Sequence, residues 1–190
     1  LFLWILPDLS VFESGYAEMH EFFNVAPWVF MLLIPAVTMR SFAEERQTGT
    51  IELLATKPIT DFQIVLGKYL ASIVIVVLSL IPTFIFVVSL YFLSLPQGNI
   101  DLGGIGGSYL GLLFLGSAYV TMGLFSSAIT SNQVVSFILG LSFCFIFYAL
   151  IEWMRGFTVI SALDPILEFI SMSSHFDAMG RGVLDTRDLV

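Results

Sequence analysis

Charge is scarce in this 190-residue chain. Seven Lys and Arg, 15 Asp and Glu and two His leave charged residues at only 12%, against about 25% in an ordinary soluble domain. That excludes a polar surface large enough to enclose the apolar remainder, which is 57% of the chain before its 15 glycines are added. Cysteine is almost absent too. Cys144 is the only one and lies in an apolar run, which excludes an intrachain disulfide and a cysteine-based metal site. The formal net charge of −8 gives no basic footprint for a nucleic-acid partner. An initiator Met is missing, and residues 1–6 are apolar but far shorter than the roughly 20 residues a span needs. The chain therefore reads as an internal fragment, with 1–6 the outer end of an earlier span.

What the sequence does have is long uncharged runs. Residues 22–39 hold 18 without a charge, 69–95 hold 27, 102–130 hold 29 and 133–151 hold 19. At 1.5 Å per residue even the shortest reaches roughly 27 Å, close to the hydrocarbon thickness of about 30 Å. The fold class is an all-α polytopic membrane protein with four complete transmembrane helices, placed at 22–39, 69–95, 105–130 and 133–151. Pro27, Pro35 and Pro82 should bend the first and second spans without breaking them, with Ser79 and Thr83 available to freed backbone groups.

The basic residues orient these spans. Segment 40–68 holds four (Arg40, Arg46, Lys57, Lys68), stretches 7–21 and 96–101 hold none, and the tail 152–190 holds three. Basic residues mark the cytoplasmic side, so 40–68 is a cytoplasmic connector and 152–190 an external segment. Outside then lie three basic and 11 acidic residues, and inside four of each.

Connector 40–68 carries organised local signals. Ser41-Phe-Ala-Glu44 and Thr60-Asp-Phe-Gln63 each fit a capping box, the second with Ile59 and Ile64 at the positions of a hydrophobic staple. Asp61 sits where a helix dipole favours negative charge. Gly49 can take the left-handed conformation that ends a helix. Thr50 can cap a short amphipathic helix with Ile51, Leu54 and Ala55 on one face, stopped at Lys57-Pro58. In the tail, Asp164-Pro165 starts another short helix through Met172, one of several expected to be interfacial or re-entrant.

Catalytic and cofactor motifs fail on inspection. Gly67-Lys68 lacks the glycine a P-loop needs at Phe62 and is followed by Tyr69 instead of Ser or Thr. Gly106-Gly-Ser108 has Leu110 where a nucleophile elbow needs glycine. His20 and His175 each lie near carboxylates but have no second histidine beside them, so no metal is assigned; no cofactor is expected either. None of the four runs contains an ionisable residue of the kind proton- and ion-coupled carriers use. Gly103, Gly107 and Gly111, four apart, would let helices approach closely. On the residues alone, an intramembrane enzyme with its catalytic groups elsewhere and a structural membrane anchor also stay open.

The run Ser41-Phe-Ala-Glu-Glu-Arg-Gln-Thr-Gly-Thr-Ile-Glu-Leu-Leu-Ala-Thr-Lys-Pro-Ile-Thr60, followed by Gly67-Lys68, resembles the signature of ABC-2 type transporter permeases. More narrowly, Ala26-Pro-Trp28, Leu33-Ile-Pro-Ala-Val-Thr-Met-Arg-Ser-Phe42 and Gly180-Arg-Gly-Val-Leu-Asp-Thr-Arg-Asp188 resemble the gliding-motility permease subunit of Bacteroidetes. Nitrous-oxide-reductase maturation permeases share the broad pattern. The resemblance implies a six-helix permease half in the bacterial inner membrane, paired with a second membrane subunit or another copy of itself. It also implies a separate cytoplasmic ABC ATPase, coupled through Glu44, Glu45, Gly49, Thr50, Ile51, Glu52, Leu53, Leu54, Ala55 and Pro58, with no catalysis in this chain.

Overall fold

A computed structural model describes residues 19–52, 56, 58–94, 100–155 and 164–180. Every regular element among them is helical. The first span is α1 (His20–Thr38), followed after Met39 by α2 (Arg40–Thr48). The second is α3 (Asp61–Leu80), a 3₁₀ turn (Ile81–Thr83) and α4 (Phe84–Leu93). The third is α5 (Leu102–Ile129). The fourth is α6 (Gln133–Phe145), a π-helical turn (Ile146–Leu150) and α7 (Ile151–Arg155). Two short helices follow, α8 (Asp164–Ile170) and α9 (Met172–Gly180). The four runs, 29, 33, 28 and 23 residues long, are each long and apolar enough to cross a membrane.

α5 is the central post, packed against α1, α2, α3, α6 and α9. Its buried positions include Gly104, Gly107, Gly111, Gly116 and Gly123, and small residues matter because lipid tails are as apolar as leucine. Helices in a bilayer gain from close van der Waals packing, with little hydrophobic drive between them. A Cβ at Gly116 would lie 2.9 Å from Val76 of α3, and one at Gly140 of α6 would lie 2.9 Å from Ser126 Oγ. The opposite case is the second span, where α4 has no buried residue and Ile85, Phe92 and Leu93 are exposed.

Helix starts follow local chemistry where it is strong. Thr60 and Gln63 form the expected capping box: Gln63 N–H donates to Thr60 Oγ1 at 3.4 Å and Thr60 N–H to Gln63 Oε1 at 3.0 Å. Asp101 caps α5 through Gly104 N–H at 3.0 Å, and Asn132 caps α6 through Val134 N–H at 2.9 Å. Pro27 and Pro35 lie inside α1, which runs through both. At Pro82 the second span tightens into its 3₁₀ turn. There Thr83 Oγ1 donates to the Leu80 carbonyl at 2.6 Å and shares a hydrogen bond of 3.0 Å with Tyr109 of α5.

Two expectations need correction. The capping box at Ser41 does not form, because Met39 keeps right-handed helical angles and α2 starts at Arg40 with no side-chain cap of its own. The tail helix ends at Ile170, short of Met172, and a second helix begins after Ser171. Ser171 Oγ donates to Glu152 Oε2 at 2.8 Å, and the Arg155 guanidinium holds Glu152 at 3.1 Å and Glu168 at 3.6 Å. This cluster ties α7 to the short helices.

Candidate functional site

The connector's residues gather where the first and second spans leave the bundle. α2 projects past α1 and ends at Gly49, whose φ of +72° is the left-handed conformation that only glycine takes without cost. Thr48 Oγ1 donates back to the Glu44 carbonyl at 2.9 Å, and Thr50 Oγ1 to the Glu45 carbonyl at 3.4 Å. Thr50 thus closes the preceding helix. Ile51 and Glu52 are helical; Leu53, Leu54 and Ala55 lie outside the described residues. The chain then passes the exposed Pro58 to the Thr60 cap.

The acidic pair splits. Glu44 is exposed, while Glu45 turns inward to Lys68 of α3, Nζ to Oε1 2.6 Å. Lys68 also donates to the Ser41 carbonyl and sits 4.7 Å from the centre of the Phe42 ring. One ammonium therefore meets a carboxylate, a carbonyl and an aromatic face, fixing α2 against the start of α3. That role for Lys68 was not readable from the Gly67-Lys68 pair. Beside this clamp opens a cavity of about 550 Å³, lined by Phe42, Ile51, Phe62, Tyr69, Leu124 and Phe125 among others. The first residue of the apolar stripe, Ile51, thus faces its own chain.

The glycine series divides at the outer end. Gly103 is exposed in the first turn of α5, where a Cβ would lie 3.3 Å from Asp101 Oδ1. Gly107 and Gly111 are buried, and a Cβ at Gly111 would lie 3.0 Å from the Phe176 ring of α9. Gly104, seven residues before Gly111 and so nearly two helical turns away, takes the place expected for Gly103: its Cβ would lie 3.3 Å from the Gly180 carbonyl. The close approach in this series is made to the short helix α9 of the same chain.

Among the described residues no group of three or more His, Cys, Asp or Glu is arranged to hold a metal. The arrangement among the described residues is four apolar helical runs, a projecting lever clamped at its root, and exposed positions at Thr50, Glu52 and Pro58 between the end of that lever and the capped start of α3. A family model described as "ABC-2 family transporter protein" matches residues 13–189. The chain belongs to the ABC-2 transporter family. "Probable multidrug ABC transporter permease YbhR" of Escherichia coli (strain K12) and that of Escherichia coli O157:H7 are each 28% identical to it over 138 residues, or 71% of this chain. The chain spans about a third of the length of these curated relatives, 33% of each. No solved structure gives a significant match. As an ABC-2 family member with four such helical runs, the chain is part of a multi-pass membrane protein.

Proposed function

We propose that the chain is part of the membrane-spanning subunit of an ATP-driven exporter in the bacterial inner membrane, powered by a separate cytoplasmic ATPase that engages the connector. The observation that carries this reading is the connector's form within an ABC-2 chain. A lever ends at a left-handed Gly49, and Thr50, Glu52 and Pro58 are exposed before the capped start at Thr60. Glu44, Gly49, Thr50, Glu52 and Pro58 are exposed there and form the contact surface, together with Leu53, Leu54 and Ala55. Glu45 acts from behind by holding the lever to Lys68. Gly107 and Gly111 serve the packing of α5, and Gly103 the start of that helix. A second membrane subunit, or another copy of this chain, completes the path and covers part of the exposed second span.

The name of the Escherichia coli relatives, a multidrug permease, supports amphipathic small molecules as cargo. The motifs at Ala26-Pro-Trp28 and Gly180 to Asp188 favour a gliding-motility or secretion context.

Sidedness tests this reading, because an ATPase can reach the connector only from the cytoplasm. A cysteine placed at Gln47, exposed on α2, is expected to react with a membrane-impermeant maleimide only in inside-out vesicles. One placed at Gln97 should react only in intact spheroplasts, and the buried Cys144 should stay silent in both. The reverse pattern would put the connector on the wrong face and overturn the proposal.

A further inference from the structure

The start of α2 is capped by another helix. Met39 stands at the N-cap position with φ −55° and ψ −29° and has no side-chain oxygen to offer. Ser127 of α5, fully buried, supplies one. Its Oγ accepts from Phe42 N–H at 2.9 Å and Ala43 N–H at 3.0 Å, and donates to the Met39 carbonyl at 2.9 Å. Phe42 N–H, the third amide of α2, is a group that an N-cap side chain serves from within its own helix, and the bonds to Ala43 N–H and the Met39 carbonyl insert the same hydroxyl into the first turn. A hydroxyl entering the ladder from outside is a recognised cause of a helix bend, and α1 and α2 are interrupted at this residue.

The arrangement has a ready alternative. Were Ser127 to withdraw, Phe42 N–H could return to the Thr38 carbonyl four residues back, making α1 and α2 continuous. The freed hydroxyl could bond a carbonyl four residues back in its own helix, as Ser72, Ser89, Thr121 and Ser142 do. Neither state leaves the Phe42 amide or the Ser127 hydroxyl unpaired, so the joint has two packed arrangements to move between. Lys68 backs the capped state through the Ser41 carbonyl and Glu45.

We propose that Ser127 is a positioning residue, a cap supplied in trans that sets the angle of the lever α2 on the first span and passes connector movement to the central helix α5. The proposal rests on the coupling reading above. α2 is nine residues long, roughly 13 Å, so a change of about 20° at its root moves its tip by about 5 Å.

The test uses the full-length protein with its ATPase in lipid nanodiscs, with spin labels at Gln47 and Ser131, both exposed. Without nucleotide, Ser127→Ala is expected to move the Gln47 to Ser131 distance by several ångströms. Ser126→Ala, which removes an equally buried hydroxyl bonded only within α5, should leave it unchanged. ATP with vanadate should shift the distance in the wild type and in Ser126→Ala, and not in Ser127→Ala. An unmoved distance in Ser127→Ala, or equal shifts in both variants, overturns the joint. A wild-type distance indifferent to nucleotide in a complex that hydrolyses ATP overturns its part in coupling. Failure to find any ATPase removes the coupling reading alone, because the nucleotide-free comparison still decides the joint.

Discussion

Gly123→Ala should destabilise the bundle more than any other glycine-to-alanine change in α5. A Cβ at Gly123 would lie 2.0 Å from Thr38 Oγ1 and 3.0 Å from Thr38 Cβ. Thr38 is fully buried, and its hydroxyl is held to the Ile34 carbonyl at 2.9 Å. Rotating Thr38 would relieve the first contact and leave the second, so α1 and α5 must separate. Overpacking typically costs about 1–3 kcal/mol and occasionally more; here the upper end is expected, because bilayer packing depends on this kind of approach. Gly106→Ala meets nothing within 4 Å and should be neutral or slightly stabilising through its better helix propensity. Thermal midpoints in detergent, with membrane levels, check both. Adding Thr38→Ala to Gly123→Ala should recover part of the loss, since the nearest clashing atom is gone. Simple additivity would show that the two residues do not meet.

Leu54→Asp should abolish capture of the ATPase while leaving membrane insertion intact. The sequence spacing puts Ile51, Leu54 and Ala55 on one apolar face of a segment too short to be stable alone, since isolated helices under about 12 residues are marginal; of the three, only Ile51 is described, and it faces its own chain. A stripe of this kind needs something to lie against. A carboxylate at its centre would have to be desolvated at the contact. A hot-spot loss of about 2 kcal/mol or more lowers affinity about 30-fold or more. Gln47→Ala, on the exposed face of α2, is the control and should bind normally. The measurement is the ATPase recovered per permease at matched membrane levels. Full recovery with Leu54→Asp would mean that the stripe covers its own chain or lies on lipid.

How much of this was legible depended on whether a signal was local. The Thr60 cap, the left-handed Gly49 and the four apolar runs use neighbours within a few residues, and the sequence shows all of them. The Ser41 box had equally good local chemistry and did not form, because Met39 keeps helical angles and Ser41 lies inside α2, whose first turn is served by Ser127, more than 80 residues away. Nothing in a single sequence marks one serine of a hydroxyl-rich helix as the partner. Of the glycine series, Gly107 and Gly111 are buried and Gly103 is exposed beside the Asp101 cap, with Gly104 turned inward. Arg155 is neutralised by two carboxylates, Glu152 and Glu168; the first pair is local, and the second crosses 12 intervening residues, a separation that composition cannot register.

The central claim is that this permease is moved by another subunit's ATP hydrolysis through its connector. Gentle purification of the full-length tagged protein from its native membrane, followed by mass determination of the intact complex, tests it most directly. The account predicts a stoichiometric cytoplasmic partner carrying its own P-loop, present with the wild-type chain and missing from the Leu54→Asp complex. A wild-type complex that is intact in membrane subunits yet holds no ATP-hydrolysing partner would contradict it.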